Sequence, residues 1–326
     1  MNTSGSSETE QLDNSGFANM HSSSIHKYSI GRILLDMGKI TPIEAEHILL
    51  FQKESGLRFG EAALKLGLVT EGDIQQVLAQ QFDYPYLLPG EGNHSPELVV
   101  AYQPFGNQIE VFRAIRSQLV LRWFATGHKG LTVVGCNPND GISLFTANLA
   151  VVYSQLGERT LLVDANLRSP QQHEIFNLKN KRGLSDVLAD RANIFEVISR
   201  IDSFVDLSVL PAGTLPPNPL ELLNRASFDE LNNQLAKQFP VIIYDTLAFS
   251  SGVDALTITS RIGGALAIVH ENNTRLTDVN IMNEQINRSG AEVVGSVLID
   301  FYTLEECRFI NLLIQNQLLL IGCLLQ

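Results

Sequence analysis

The amino-acid sequence predicts an α/β protein in which helices cover both faces of a mainly parallel sheet, preceded by a small α-helical domain. From Leu131 onward, apolar runs typical of buried strands alternate with helical segments, which is the pattern of a parallel sheet. In the first third of the chain, one helical pattern occurs twice. Strands are predicted at residues 131–135, 160–163, 207–210, 241–244, 265–269 and 293–298.

Composition indicates a globular protein and argues against a nucleic-acid ligand. The 326 residues are 44% hydrophobic and 18% charged, which is enough apolar material for a large core. The formal net charge of −12 is the opposite of the basic excess that nucleic-acid-binding surfaces usually carry. The 3 cysteines share no metal-ligand spacing, so a reduced, cytosolic compartment is the simplest interpretation.

Both ends of the chain differ from its middle. Residues 1–26 are rich in Ser, Asn and Gly and contain no apolar run, so we expect a disordered tail and no signal peptide. Residues 302–326 form an atypical apolar tail that is too interrupted to span a bilayer. We expect this tail to be a short helix docked on the body or an out-of-frame end; a membrane- or partner-binding amphipathic helix is the alternative.

The α-helical domain is predicted at residues 27–90 from a tandem repeat, in which residues 29–41 align with residues 58–70. Each unit has a short helix that ends at a glycine and a second helix that begins after a threonine cap. These residues are Gly38 and Thr41 in the first unit, and Gly67 and Thr70 in the second. Two packed helical hairpins are therefore expected. A Pro- and Gly-containing linker, residues 91–108, follows them.

A glycine-containing loop lies between a predicted strand and a predicted helix, which is the position of a phosphate-binding loop. In such a P-loop, backbone N–H groups and the helix N-terminus cradle phosphates, a Lys reaches the β- and γ-phosphates, and the next Ser or Thr holds Mg²⁺. Here Ile142 occupies the lysine position and Ser143 follows it. The residues predicted to line the nucleotide site are Pro138, Asp140, Gly141, Ile142, Ser143 and Leu144.

Two aspartates, Asp164 and Asp245, end predicted strands. Ligands of parallel sheets bind at the carboxyl ends of the strands, where a carboxylate can approach Mg²⁺ and an attacking water. One such residue is often only a helix cap, but two of them beside a P-loop-like turn indicate a nucleotide site. We therefore predict a P-loop NTPase-like fold, with Asp164 and Asp245 as catalytic residues that hold Mg²⁺ together with Ser143.

Five motifs lie along the larger domain, at residues 110–116 (EVFRAIR), 138–143 (PNDGIS), 161–170 (LLVDANLRSP), 209–219 (VLPAGTLPPNP) and 242–246 (IIYDT). Together they resemble the cytoplasmic bacterial tyrosine autokinases that control polysaccharide chain length, in particular their EpsG-like branch. The resemblance covers residues 27–301 and implies a kinase-like P-loop domain at residues 109–301. It implies ATP or ADP and Mg²⁺ as ligands, and a membrane-embedded chain-length determinant protein as partner. The location implied is cytoplasmic, peripheral to the inner membrane.

The resemblance also assigns roles to charged residues outside the nucleotide site. The E-x-x-R-x-x-R motif implies a homo-oligomer formed through Glu110, Arg113 and Arg116, whose spacing places them on one helix face. Plain surface charge on an amphipathic helix is the alternative.

The tandem repeats resemble the GspE-type N-terminal domain of secretion ATPases, some members of which bind cyclic di-GMP. The family positions in the second unit, which are the candidate cyclic di-GMP residues, are Arg58, Gly60, Leu64, Gly67 and Gln81. In the first unit Ser29 stands at the arginine position, which removes a bidentate phosphate contact. A helical docking module without a ligand is the alternative.

Several residues depart from the kinase pattern. Ile142 replaces the phosphate-binding Lys, and Asn166 replaces the second Asp of a D-x-D element. Asn139, Leu247 and Ile299 replace a loop Gly, a Pro and an Asn, respectively. Because phosphoryl transfer rests on positioning and electrostatics, loss of the lysine cation should weaken stabilisation of the transition state. Impaired ATP use is therefore expected.

The leading functional hypothesis is a regulator of exopolysaccharide biosynthesis and chain length with impaired ATP use. The alternative is an active ATP-dependent protein-tyrosine kinase in which another cation, Arg168 or an Arg of a neighbouring subunit, replaces the Lys. Tyr302, the one tyrosine after the domain, is its candidate acceptor. A partition-type ATPase relative fits less well, because the Pro-rich motif at residues 209–219 is typical of the kinases.

Overall fold

The computed structural model describes residues 29–81, 86–87, 90–103, 106–138, 140–301, 307–314 and 317–319. The predicted tail at residues 1–26, Asn139 and Tyr302 lie outside these ranges. The chain forms two compact units, Met1–Tyr84 and Pro85–Gln326. Within the described ranges, no helix is both long enough and apolar enough to cross a lipid bilayer.

The first unit consists of two helical hairpins. Its helices are α1 (Ile30–Asp36), α2 (Pro42–Ser55), α3 (Phe59–Lys65) and α4 (Glu71–Gln81). Gly38 and Gly67 follow the first helix of each hairpin with φ values of 66° and 68°, a left-handed conformation that favours glycine. The Thr41 hydroxyl accepts the Glu44 N–H, and the Thr70 hydroxyl accepts the corresponding N–H of Asp73. The predicted helix ends and caps are therefore confirmed.

The second unit is a helix-covered sheet. Its strands are β1 (Gly130–Gly135), β2 (Thr160–Asp164), β3 (Ser199–Arg200), β4 (Leu207–Leu210), β5 (Val241–Asp245), β6 (Gly264–His270), β7 (Glu292–Phe301), β8 (Cys307–Ile314) and β9 (Gln317–Leu319). Its helices are α5 (Val99–Tyr102), α6 (Asn107–Arg122), α7 (Ile142–Ser154), α8 (Gln172–Ile175), α9 (Leu184–Leu188), α10 (Ile194–Val197), α11 (Pro219–Leu223), α12 (Ala226–Ala236), α13 (Asp254–Ile262) and α14 (Leu276–Arg288). All six predicted strands are present, and the α/β prediction is confirmed.

The strand order in the described part of the sheet is β3-β4-β2-β5-β1-β6-β7-β8-β9. The pairs from β4 to β7 are parallel, and β3 pairs with β4 in the antiparallel direction. Strands β2 and β5 are buried along their whole length, as their continuous apolar runs require. Their parallel register places Asp164 opposite Asp245 at the carboxyl edge of the sheet.

The segment predicted as a linker at residues 91–108 packs against the second unit. Leu98 and Val100 are fully buried in its core. The Val100 N–H donates to Asn148 Oδ1 on α7 (3.1 Å). The Ser95 N–H donates to the Ile175 carbonyl at the end of α8 (2.8 Å), and the His94 ring bonds the carbonyl of the next residue. Much of this segment therefore belongs to the α/β body.

The apolar tail adds strands to the sheet. Strand β8 pairs with β7, and β9 pairs with β8, both in the antiparallel direction. The expectation of a short docked helix is wrong for residues 307–314 and 317–319. Without β8, strand β7 would present a row of unpaired backbone N–H and C=O groups, and strand pairing satisfies them. Residues 302–306, 315–316 and 320–326 lie outside the described ranges.

The Pro-rich motif is fastened to α9 by Asp186. One carboxylate oxygen of Asp186 accepts the N–H groups of Thr214 (3.0 Å) and Gly183 (3.1 Å). Burial alone would raise the pKa of Asp186, but these hydrogen bonds outweigh burial and hold the pKa below its usual range. A Cβ on Gly183 would lie 1.9 Å from the Pro211 carbonyl oxygen, so the two backbones touch there.

We therefore predict that Gly183→Ala destabilises the chain by about 3 kcal/mol, because the added methyl group must separate α9 from the Pro-rich loop. Urea unfolding measures this change. Gly106→Ala is the control, since a Cβ at that position would make only an ordinary contact, 3.6 Å from the Gln103 carbonyl oxygen. Equal, small losses in both variants would contradict the close approach.

Candidate functional site

The loop between β1 and α7 has the backbone form of a phosphate-binding loop. Gly141 has a φ of 68°, and helix α7 begins at the next residue, so the N–H groups of its first turn have no partner within the helix. These groups and the positive end of the helix dipole suit an anion. Pro138 is exposed and Leu144 is half-buried beside them.

The Asp140 carboxylate accepts hydrogen bonds from other residues of the protein. It is fully buried and accepts the N–H of Asn137 (2.7 Å) across the loop. Its other oxygen accepts hydrogen bonds from Thr274 (3.1 Å) and Asn273 (3.2 Å), in the segment after β6. Asp140 therefore shapes the loop and ties it to a second segment. The Asp140 N–H donates to the Asn137 carbonyl (3.1 Å), so the backbone of Asp140 is also used within the loop, and its predicted place in the nucleotide site stays a prediction.

The Ile142 side chain lies in the core. It is 5% exposed and packs over Gly135, where a Cβ would lie 2.8 Å from the Ile142 Cδ1 and Cγ1 atoms. The side chain therefore turns back onto β1. Burial of an apolar group in this place is favourable, whereas a lysine ammonium in the same position would lose its hydration. Only the backbone of Ile142 remains to meet a phosphate.

Ser143, Asp164 and Asp245, the three residues predicted to hold Mg²⁺, are brought together by Gln172. The Gln172 N–H donates to Asp164 Oδ2 (3.0 Å). The side-chain amide Nε2 donates to Asp245 Oδ2 (2.7 Å) and to the Ser143 carbonyl (2.9 Å). Gln172 is fully buried at the start of α8. The site therefore joins α7, β2, β5 and α8.

The two carboxyl groups have raised pKa values. Burial raises the pKa of Asp164 well above its ordinary value, and the charge of Asp245 raises it further. Burial also raises the pKa of Asp245, against the opposing effect of hydrogen bonds from Gln172 and the Ser143 hydroxyl. Since two buried like charges repel each other, the pair gives up its protons less readily than separate, exposed carboxylates do.

Three buried oxygens in this cluster have no hydrogen-bond partner among the described residues. They are Asp164 Oδ1, Asp245 Oδ1 and Gln172 Oε1. Two carboxylate oxygens and an amide oxygen are ligands that Mg²⁺ accepts, and a divalent cation would neutralise the repulsion between the carboxylates. The residues present therefore fit the predicted cation. Asp164, Asp245 and Gln172 would hold the cation, which when bound would supply positive charge to nucleotide phosphates.

Sequence reasoning missed Gln172. It follows Asp164 by eight residues, and its bonds to both carboxylates depend on the turn that brings α8 back to the sheet edge. That turn is shaped by Asn166, whose Oδ1 accepts the Ser169 N–H (3.0 Å). The replacement of an Asp by Asn166 thus leaves a residue that caps a turn. No motif in the sequence pointed to Gln172.

Arg168, the sequence candidate for a substitute cation, already has an anionic partner. Its Nε and one terminal nitrogen donate to the two Asp254 oxygens at 3.1 and 3.3 Å. Asp254 is 3% exposed at the start of α13, and this bidentate pair gives its buried carboxylate a partner.

The three residues predicted to mediate oligomerisation all lie on α6. Glu110 and Arg113 form an ion pair one turn apart. Arg116 donates to the Val152 carbonyl of α7 (2.7 Å), which links the two helices within one chain. Glu110 is exposed, whereas Arg113 and Arg116 are half-buried. Their role between subunits stays a prediction.

The five candidate cyclic di-GMP residues divide into two groups in the helical unit. Gly60 is buried against Ile74, Leu64 packs on the unit's core, and Gly67 makes the left-handed turn. These three therefore have roles in the fold. Arg58 and Gln81 are exposed. Binding of cyclic di-GMP stays a prediction.

The parallel sheet, the glycine loop before α7 and the paired strand-end aspartates define the class of P-loop NTPase-like proteins. The chain belongs, within that class, to the bacterial tyrosine-protein kinases. It is 30% identical over 203 residues to the Staphylococcus aureus protein CapB, whose name describes a tyrosine-protein kinase, and covers 88% of that relative. It is 28% identical to a tyrosine-protein kinase in the cps region of Klebsiella pneumoniae, of which it covers 31%. No protein-family model matches the chain.

Solved structures agree with this assignment. The chimerical protein CapA2B2 has a TM-score of 0.59 and 33% identity, over 69% of this chain and 97% of the other. The kinase domain of the Escherichia coli tyrosine kinase ETK has a TM-score of 0.59 and 27% identity, over 63% of this chain and 79% of the other. The chain spans only about a third of the Klebsiella relative, so the activity of a whole kinase does not follow from the similarity.

The raised carboxyl pKa values predict how stability depends on pH. The folded chain retains protons that the unfolded chain releases, so stability falls as pH rises through the folded pKa values. Without divalent cations, Asp245→Asn should therefore raise the Tm at about pH 8 by about 3 °C or more, and less at about pH 5. Differential scanning calorimetry measures both values.

The control for this experiment is Asp202→Asn, which removes an exposed carboxylate. It should change the Tm little at either pH. If Asp245→Asn lowers the Tm at about pH 8, the carboxylate is not destabilising the folded chain, and the account of the buried pair is wrong.

Proposed function

We propose that this protein is a regulator of exopolysaccharide biosynthesis and chain length, built on the tyrosine-kinase fold, with impaired ATP use. The observation that carries the proposal is the Ile142 side chain, which packs over Gly135 in the core instead of supplying a cation to the phosphate loop. The exopolysaccharide role rests on the family resemblance of the five motifs.

Loss of the cation affects catalysis more than it affects the fold. The helix N-terminus, Ser143 and the two carboxylates remain, so ADP or ATP with Mg²⁺ retains several of its contacts. Transfer of the γ-phosphoryl group, however, depends on charges aimed at oxygens that become more negative in the transition state. Removal of one such group from an active site typically costs about 10²–10³-fold in rate. We therefore expect the protein to bind nucleotide but to transfer the γ-phosphoryl group slowly.

The proposed setting is the cytoplasmic side of the inner membrane. A membrane-embedded chain-length determinant protein is the proposed partner, since the motifs resemble kinases that act with such proteins. In a homo-oligomer, the exposed Glu110 on α6 would face a neighbouring subunit. Binding of a nucleotide or of the partner protein would then change how the subunits assemble, and ATP turnover would not be needed.

An active protein-tyrosine kinase is the second candidate, and the complete carboxylate pair favours it. It requires a cation in place of the lysine. Arg168 can supply this cation only by leaving Asp254, which would leave a buried carboxylate without its charged partner. An Arg from a neighbouring subunit avoids that cost.

We predict that Ile142→Lys raises both ATP affinity and ATP hydrolysis, the latter by about 10²-fold, because the long side chain can leave the pocket over Gly135 and place its ammonium near the phosphates. Hydrolysis is the chosen measurement because it needs no tyrosine acceptor. Phosphotyrosine formed on a supplied tyrosine peptide is measured beside it.

Ile142→Met is the matched control, since it keeps an apolar side chain of similar volume and should change neither value. If the unsubstituted chain already hydrolyses ATP at a rate that Ile142→Lys does not improve, the proposal of impaired ATP use is wrong. If Ile142→Lys does not fold, the unsubstituted chain is compared with Asp245→Asn. A large loss in Asp245→Asn would then favour the active kinase.

A further inference from the structure

We propose that Gln172 is a positioning residue that orients both buried carboxylates, so that each presents one oxygen to a divalent cation. This inference rests on the proposed nucleotide site, but not on whether phosphoryl transfer takes place there. It adds to the site a residue that neither the strand-end aspartates nor the P-loop pattern contains.

The first observation is that one residue holds one oxygen of each carboxylate. The backbone N–H of Gln172 donates to Asp164 Oδ2 (3.0 Å), and its side-chain amide donates to Asp245 Oδ2 (2.7 Å). The oxygens left without a hydrogen bond are the other one of each pair, Asp164 Oδ1 and Asp245 Oδ1. A carboxylate held by one oxygen cannot rotate without breaking that bond, so the hydrogen bonds of Gln172 favour the orientation in which the other oxygen of each group is left for a cation.

The second observation is that the orientation of the amide is determined by its surroundings. Its Nε2 atom lies within hydrogen-bond distance of two acceptors, Asp245 Oδ2 and the Ser143 carbonyl. The reversed amide would place Oε1 against those two acceptors and lose both bonds. The Oε1 atom therefore remains the third unpaired oxygen of the cluster.

The third observation is that Gln172 connects separate segments of the candidate site. It begins α8, contacts the first turn of α7 through Ser143, and reaches β2 and β5 through the two aspartates. Its side chain is neutral and fully buried, so it lessens the repulsion between the carboxylates without adding a charge. Residues that orient metal ligands in this way typically change metal affinity by about 10–100-fold when they are replaced.

The test is a titration of the full chain with Mn²⁺ alone, followed by electron paramagnetic resonance, with no nucleotide present. Gln172→Leu removes both side-chain hydrogen bonds at similar volume and keeps the backbone N–H. We expect it to weaken Mn²⁺ binding at least about tenfold. Gln171→Leu makes the same chemical change at the exposed neighbouring position and should leave Mn²⁺ binding unchanged.

A merely structural role for Gln172 gives a different result. In that case Gln172→Leu lowers the Tm but binds Mn²⁺ as tightly as the unsubstituted chain, and the inference is overturned. It is also overturned if the unsubstituted chain binds no Mn²⁺ at millimolar concentration. Since the titration contains no ATP, neither result depends on the rate that Ile142→Lys tests.

Gln172→Met provides a second variant in case Gln172→Leu does not fold. It also removes both side-chain hydrogen bonds and keeps the backbone N–H, so Mn²⁺ should raise its Tm less than it raises that of the unsubstituted chain. An equal or larger rise in Tm would contradict the inference.

Discussion

The parallel pairing of β2 with β5 is the constraint on which the site depends, because its register places Asp164 directly opposite Asp245 in a fully buried position. Burial raises the pKa of both carboxyl groups, and repulsion from Asp245 raises that of Asp164 further, so ionising both groups costs folding free energy. Gln172 relieves part of this repulsion by donating to both groups. A bound divalent cation would relieve the remainder.

The same neighbourhood explains how the fold persists without the lysine. Ile142 contributes to the core under the phosphate loop, Asp140 fastens the loop to the segment after β6, and Arg168 pairs with Asp254. Each of these three side chains thus has contacts within the chain. The segment that precedes α6 holds the far end of α8 through Ser95, so the helix that begins with Gln172 is fixed at both ends.

Features with a short-range physical cause could be predicted from the sequence. The left-handed glycines and threonine caps of the helical unit depend on neighbouring residues alone, and the strands and their terminal aspartates follow from apolar runs. The bonds of Gln172 and the inward turn of Ile142 depend on how distant segments meet, which no local pattern encodes. The strands of the apolar tail could not be predicted, because strand and helix are hard to separate in a short apolar run. Strand β8 forms by pairing with β7.

The most direct test of the central claim compares this chain with the Escherichia coli ETK kinase domain in single-turnover ATP hydrolysis at saturating Mg²⁺ and ATP. A site that keeps its carboxylates but has lost its phosphate-loop cation should bind ATP and hydrolyse it at least about 10²-fold more slowly than the relative. Equal rates in the two proteins would contradict the account, since Ile142 would then impose no catalytic cost.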